Sequence, residues 1–549
     1  MAMLEQTQAW LLPPRRRWAA AIVLLCAVYA LGLNNEWAIS PDAALYLTLG
    51  RSLAEGHGME CNGLQWWTIP PVLPFLIAAC RLVAGDGYWL INLVLSACAI
   101  GAVVLAARTI RRYGTSDLAL PVLVISGMSA YLYIIAGRVQ TDVPFMFLAA
   151  AGLYGFARAA EASPWWTVPG GAALLAAALT RPPGVLFVVG AVGGLLLKFR
   201  RPGYRWWAIA AILTVVVTAG LFLIWAEYIR SMADPGTGDY AAALRARSFN
   251  LFDAQHFKFM AAGLHALPSA TFAAITGQQL NFWVMAGPML LVFLGLAVIA
   301  RRRQWVIAVP VVLYVGFLLF WGGGAVARRY LLPVMPYLVY AFLAGVSAVA
   351  SWAQHRWKPA AEASGRPAIQ RIAVIIAGVI CVAISVPKIA RDVYWTRSSD
   401  FYDTYEGGKW RDVVDVAQHL RREGRAEVDV MLGPEFTVLH YLTRLRIETT
   451  MLAPGFVPWD PASGSAQVFA EMAVRGPARF VVVPTTPPEW SREALAVIEA
   501  SGMFGPPVTF GHFAVLKRHD GSAGQPAEKP DPPPPPAGGA TPKAATPKA

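Results

Sequence analysis

Charge is what this sequence has least of. Only 14% of its 549 residues are Asp, Glu, Lys or Arg, against 56% hydrophobic, a balance that an ordinary soluble domain does not show. Cysteines are few, five in all, and their spacing matches no metal motif, so a cysteine-held metal centre is not expected. Cys26, Cys98 and Cys381 lie inside apolar runs, where a buried thiol is the ordinary expectation, while Cys61 and Cys80 are placed where they could pair. No small-residue cleavage site follows the first apolar run, which passes straight into Asn34-Asn35-Glu36-Trp37. Residues 18–33 therefore read as a retained span and not as a removable signal. No internal repeat stands out.

What is present is a series of nearly charge-free windows, at 18–33, 88–107, 118–136, 143–157, 165–180, 184–197, 206–226, 282–300, 305–321, 331–350 and 372–387. A helix needs roughly 20 apolar residues to cross a bilayer, so these windows predict about eleven spans, with Pro169 and Arg181-Pro182-Pro183 interrupting the pair at 165–197. The basic clusters at 15–17, 111–112, 198–201, 301–303 and 355–358 fall in alternate loops. With 70–80 read as a segment that dips and returns, all of them lie on one face, and the positive-inside rule makes that face cytoplasmic. The N-terminus is then inside and the long C-terminal segment outside, in the periplasm or beyond the cell. The net charge of +13 serves as an orientation signal. A nucleic-acid partner is not expected, because it would want basic residues gathered on one folded surface.

The expected architecture is an all-α polytopic membrane domain over 1–388, with a first outer loop at 34–87 and a second outer segment near 229–281. A small α/β extracytoplasmic domain follows over 389–520. In it Val413, Val416 and Leu420 share one helical stripe, "EVDVML" and "ARFVVVP" read as strands, and "REALAVIEASG" reads as a helix ending at glycine. The last segment, 521–549, is a Pro/Ala/Lys-rich stretch that cannot bury apolar surface and is expected to be disordered.

Against this apolar background a few polar residues stand out. In "AISPDAALYLTLGRSLAEGHG", Ser40 suits an N-cap, Pro41 the first helical position and Asp42 the first turn, where the helix dipole favours an anion. That is already a structural reason for the acid. "GRVQTDVPFMFL" repeats the pattern, with Thr141 or Asp142 able to cap a span. The predicted topology places Asp42, Asp142, Arg181 and the Arg328-Arg329-Tyr330 run at one membrane face, each at a span end. Snorkelling to the headgroups accounts for any one of them, and less well for a converging set. Two carboxylates beside a basic cluster suit chemistry on a lipid-linked phosphate, with a base for an incoming hydroxyl and cations for the phosphate. His57 could reach the same phosphate. Trp66 and Trp67 could stack on a sugar ring, although paired tryptophans are also ordinary residents of the membrane interface.

The set Asp42-x-x-x-Tyr46, "GHG", "IPPVLPFL", "QTDVPFMFLAAAGLY", "ALTRPPGVLFV" and "RRYLLPVMPYLV" resembles, in content and order, the GT-C membrane glycosyltransferases. The nearest branch is the protein-mannosyltransferase-like group that includes the lipid A aminoarabinose transferases. The resemblance covers roughly residues 18–350. It implies a helical membrane body with an outward-opening cavity, Asp42 as catalytic base, and Asp142 beside it. Ala43 follows Asp42 where protein mannosyltransferases carry Glu, Thr68-Ile69 stand where aminoarabinose transferases have Glu-Lys, and Leu45 occupies a position that is Arg there. The usual phosphate-contacting lysine is missing, so donor sugar and phosphate contacts stay open. The Trp-Trp-Asp motif of oligosaccharyltransferases is absent, so transfer of a preassembled glycan to Asn is not expected.

The expectation is an inverting glycosyltransferase that moves a sugar from a polyprenyl-phosphate donor to a hydroxyl on an envelope glycan, lipid or protein. Asp42 and Asp142 are the catalytic candidates. Arg328, Arg329, Tyr330, His57 and Arg181 are candidates for the donor phosphate, and Tyr46, Trp66 and Trp67 for the sugar. Metal dependence stays open: two acids could share a divalent cation, but no dense ligand cluster shows. The alternative is a flippase for lipid-linked glycans. Its charges would be expected near the bilayer midplane on broken helices, whereas here they stand at span ends.

Overall fold

The computed structural model describes residues 14–67, 69–198, 205–232, 254–321, 328–357, 366–397, 409–425, 430–432, 436–447, 466–475, 477–485 and 488–519. They form two compact units that divide between Trp410 and Arg411. The tail at 521–549, the polar stretch at 233–253, and Thr68 lie outside the described residues.

The first unit is helical. Its helices are α1 (Pro14–Leu31), α2 (Pro41–Ala54), α3 (Val72–Ala84), α4 (Trp89–Tyr113), α5 (Ser116–Gly127), α6 (Ala130–Ala136), α7 (Asp142–Glu161) and α8 (Thr167–Ala178). They continue as α9 (Gly184–Lys198), α10 (Arg205–Met232), α11 (Ala254–Thr276), α12 (Phe282–Arg301), α13 (Trp305–Trp321), α14 (Met335–Trp357) and α15 (Arg366–Arg397). A short hairpin, β1 (Glu60–Cys61) with β2 (Leu64–Gln65), interrupts the series.

By length and composition, five helices among the described residues can cross a membrane, or six if a bent pair counts as one span. Shorter apolar helices of 10–17 residues accompany them, at Val72–Ala84, Gly184–Lys198, Ile212–Trp225 and Trp305–Leu319. The run at 118–136 is that bent pair, α5 and α6, with a 56° angle between them. Ser129 explains why the chain can break there. Its hydroxyl accepts from Leu132 N at 3.1 Å and donates to the Ala274 carbonyl at 2.7 Å, so the Ser129 hydroxyl and the first free N–H of α6 are satisfied inside the protein.

The interval read as a second outer segment, 229–281, contains α11, whose second half packs into the helical unit, with Leu267 and Ile275 each 1% exposed and Ala274 at 0%. The "LPSATFAAIT" stretch carries enough small and apolar side chains to pack against its neighbours. Cys61 and Cys80, which could have paired, are both free and buried. Burial pushes the Cys61 thiol up to about 12, with the Glu60 charge adding to it.

Helices α12 and α14 pack backbone to backbone through glycine. A Cβ at Gly295 would collide with the Ala341 carbonyl, and one at Gly345 with the Leu291 carbonyl. Small residues that let helix backbones touch are a usual device of membrane packing. Gly295→Val is therefore expected to destabilise the body by at least about 1–3 kcal/mol, as overpacking does. Thermal unfolding of detergent-solubilised protein would measure this, and an unchanged midpoint would contradict the contact.

The second unit carries a five-stranded sheet in the order β4-β3-β5-β7-β6. Its strands are β3 (Val430–Leu432), β4 (Arg446–Ile447), β5 (Phe480–Pro484), β6 (Val508–Phe510) and β7 (Phe513–Lys517). β3 runs parallel to both β4 and β5, whereas β7 is antiparallel to β5 and β6. Every residue of β5 is buried, as suits a central strand. Four helices belong here, α16 (Lys409–Glu423), α17 (Phe436–Thr443), α18 (Ala466–Arg475) and α19 (Pro488–Ala500). Val413, Val416 and Leu420 are buried together on α16.

Candidate active site

The site begins at the start of α2. Ser40 holds extended backbone at the N-cap, and its hydroxyl accepts from Ala43 N at 3.2 Å. Pro41 opens the helix with a preset φ and no N–H to leave unsatisfied. The capping role is thus filled by Ser40, and the Asp42 carboxylate is used elsewhere. Its Oδ2 accepts from Arg329 Nη1 at 3.3 Å, and 49% of its side chain stays exposed. The acid is held at one oxygen and open to an incoming group.

Arg329 reaches Asp42 from a 3-10 turn, Arg328–Val334, that leads into α14. Its Nη2 donates to the Tyr330 hydroxyl at 3.0 Å, and its guanidinium lies 4.9 Å from the Tyr330 ring centre. Arg181 approaches the same ring at 5.0 Å. It stands where the Pro182-Pro183 pair forces a break between α8 and α9. There Arg181 forms an ion pair with Asp142 in the first turn of α7, whose side chain is only 3% exposed. The neighbour Arg328 turns away and covers the Tyr131 ring at 4.6 Å. Asp42, Asp142, Arg181, Arg329 and Tyr330 therefore stand together, drawn from α2, α7, the α8–α9 break and the turn before α14.

Tyr46, one turn along α2 from Asp42, completes the inner wall. Burial pushes its phenol up to about 12, with the negative charge of Asp42 contributing next, while Arg181 and a hydrogen bond with Thr141 oppose. It stays protonated near neutral pH and can donate. Tyr314, buried on α13, also contributes to the electrostatic surroundings of Arg181.

A family described as dolichyl-phosphate-mannose-protein mannosyltransferase matches residues 68–225. The chain is similar to that family over this stretch, and its fold as a whole is shared with solved structures. Its fold is similar to that of ArnT from Cupriavidus metallidurans in the apo state, at TM-score 0.57 and 16% identity, over 93% of this chain and 100% of that one. ArnT bound to undecaprenyl phosphate gives TM-score 0.54 at 15% identity, over 92% and 99% of the two chains. The Archaeoglobus fulgidus oligosaccharyltransferase in complex with Zn and sulfate gives TM-score 0.52 at 11% identity, over 89% of this chain and 71% of that one. No curated protein matches the sequence.

Other candidate residues lie outside the charged cluster. Trp66 is 3% exposed and its indole N–H donates to the Cys61 carbonyl at 3.1 Å, so it braces the hairpin and offers no face to a sugar. Trp67 is half-buried and meets Trp225 and Tyr228 edge-on, with ring centres 6.3 and 6.4 Å away. His57 is exposed at the end of α2, where its carbonyl accepts from Gln65 Nε2 at 3.2 Å. Among the described residues no group of three or more His, Cys, Asp or Glu could hold a metal ion. Asp42 and Asp142 each face an arginine, a donor set that favours an anion between the arginines over a cation shared by the acids.

Thr141, Tyr131 and Tyr314 are the cluster's residues that their sequence setting did not single out as site residues. Their only signal is a hydroxyl within a largely apolar stretch, and only the fold shows that these hydroxyls converge.

Proposed function

We propose that this protein transfers a sugar from a polyprenyl-phosphate donor to an acceptor hydroxyl by a single displacement, with inversion at the anomeric carbon, on the outer side of the membrane. The observation that carries this reading is the Arg329–Asp42 contact. It sets a partly exposed carboxylate beside a guanidinium at the end of a helical membrane body. Asp42 accepts the proton of the attacking hydroxyl as its oxygen bonds to the anomeric carbon, and the bond to the lipid phosphate breaks. General-base assistance of this kind is worth roughly 10²–10⁴-fold. Arg329 takes up the charge that grows on the departing phosphate, where a planar two-donor fork suits a phosphate. Tyr330 fixes the guanidinium plane, and the Asp142–Arg181 pair holds the wall behind it.

The likeness to ArnT bound to undecaprenyl phosphate, over nearly the full length of both chains, supports a lipid-phosphate donor. A membrane protein purified with its donor should release that lipid on solvent extraction, where mass spectrometry would show a sugar on a polyprenyl phosphate. Recovery of bulk phospholipid alone, with no transfer from added polyprenyl-phosphate sugars, would reject the reading.

The two neighbouring arginines supply a finer test. Arg329→Lys should weaken donor binding by about 1.5–3 kcal/mol, the range for a hydrogen bond to a charged group, because lysine lacks the fork. Arg328→Lys should change donor binding little, since Arg328 lies over Tyr131 and lysine can also cover a ring. Equal donor affinity in both variants, measured by titration, would remove Arg329 from the phosphate site.

A further inference from the structure

Three cations at the end of the body that holds Asp42 have no part in the proposed mechanism. Lys388 and Arg391 lie on α15, and Arg328 opens the turn before α14, next in sequence to Arg329. Lys388 is within electrostatic reach of both Arg391 and Arg328, so the three charges gather at one place. On the expected topology this is the outer end, where the positive-inside rule calls for few basic residues. Like charges held side by side also repel unless something offsets them.

Each of the three is held by a neutral partner. Arg328 covers the Tyr131 ring at 4.6 Å, and Arg391 covers the Trp395 ring at 4.7 Å. Lys388 Nζ donates to the Gly277 carbonyl, just past the end of α11. A lysine at a helix C-terminus is by itself an ordinary cap, but that does not account for the two arginines beside it. Rings and carbonyls orient a cation without cancelling its charge. No carboxylate among the described residues forms an ion pair with any of the three. Asp392, one turn on from Lys388, divides its electrostatic influence between Arg138 and Arg391. Arg328 and Arg391 are exposed, and Lys388 is half-buried.

Along α15 away from these charges the same face turns apolar. Pro387, Ile384, Ile380 and Ile376 fall within about 60° of Arg391 around the helix, at about 100° per residue, and all four are exposed. From Arg391 to Ile376 the rise is about 22 Å, longer than the roughly 15 Å half-thickness of a bilayer's hydrocarbon core. We infer that this place holds a resident anionic phospholipid, its phosphate against Arg328, Lys388 and Arg391 and one acyl chain along the α15 stripe. Two guanidinium forks suit phosphate oxygens. The uncompensated positive charge favours an anionic headgroup over a zwitterionic one. A free phosphate would leave the apolar stripe uncovered. The site is separate from the Asp42–Arg329 contact, and the inference stands whether or not the transferase reading does.

The test is native mass spectrometry of the full chain, stripped of copurified lipid and titrated with dioleoyl phosphatidylglycerol, dioleoyl phosphatidylcholine or glycerol 3-phosphate. Wild type should hold one phosphatidylglycerol roughly tenfold more tightly than phosphatidylcholine. Arg391→Gln should lower that affinity roughly tenfold, the loss expected when a hydrogen bond to a charged group goes. Ile380→Asn, which makes the stripe polar, should also lower it. Both side chains are exposed, and an unchanged thermal unfolding midpoint would show that each variant folds; if one does not, the other carries the test. The inference is overturned if the two phospholipids bind wild type alike, or if either folded variant holds phosphatidylglycerol as wild type does. Displacement of the lipid by an equal concentration of glycerol 3-phosphate would also overturn it, since a site for a free anion needs no stripe. So would displacement by undecaprenyl phosphate at lower concentration than phosphatidylglycerol requires, because the place would then belong to the donor.

Discussion

Asp42→Asn is expected to lower transfer by about 10²-fold or more while the protein folds and inserts normally. The reason to expect intact folding lies in Ser40, which already accepts the hydrogen bond from Ala43 N and caps α2 without help from the acid. What asparagine gives up at the helix end is a favourable interaction with the dipole, about 0.3–1 kcal/mol. It also gives up the charge that Arg329 faces, a half-exposed pair of modest worth. The chemistry loses its proton acceptor outright. Turnover measured at saturating donor, together with a thermal unfolding midpoint, separates the two. Near wild-type turnover would return Asp42 to a purely electrostatic partner of Arg329.

The Asp142–Arg181 pair should behave in the opposite way, as a structural element whose loss harms everything. Both side chains are largely removed from solvent, at 3% and 16% exposure. Taking away one partner leaves the other charge buried and unpaired, which costs roughly 3–5 kcal/mol. Asp142→Asn alone should therefore lower the unfolding temperature sharply and reduce the yield of folded protein. Replacing both, as Asp142→Leu with Arg181→Met, should recover much of that stability, because two apolar side chains of similar volume leave nothing unpaired. It should not recover full transfer, since Arg181 also sits against the Tyr330 ring that orients Arg329. A double variant as unstable as the single one would show that the pair is not what the single substitution disrupts.

Much of this was legible in the sequence alone. Low charge and long apolar windows give a helical membrane body. The Pro182-Pro183 break is visible in the letters, as is the α2 start at Ser40-Pro41. Other features were not, and for physical reasons. A bend between α5 and α6 depends on the Ser129 hydroxyl finding the Ala274 carbonyl, 145 residues away in sequence, which no local pattern encodes. The burial of α11 depends on neighbours that accept its small-residue face. Trp66 and Trp67 look equivalent in sequence, yet one N–H turns into the hairpin and the other ring meets α10. The turn before α14 is 3-10 in form, so adjacent arginines diverge to different partners, Asp42 for one and Tyr131 for the other.

Arg329 has a consequence for the order of events. In the resting protein one of its terminal nitrogens is given to Asp42 and the other to Tyr330. A base engaged with an arginine is a poor proton acceptor, and an arginine engaged with a base is a poor phosphate ligand. On the proposed mechanism, the arriving lipid phosphate draws Arg329 off the carboxylate and frees Asp42 at the moment when a sugar is present to be transferred. The contact then acts as an interlock. It imposes a compulsory order, donor before acceptor, and it keeps the base quiet while only water is at hand. Initial-rate and dead-end inhibition patterns would carry that signature, with an inert acceptor analogue acting uncompetitively towards the donor.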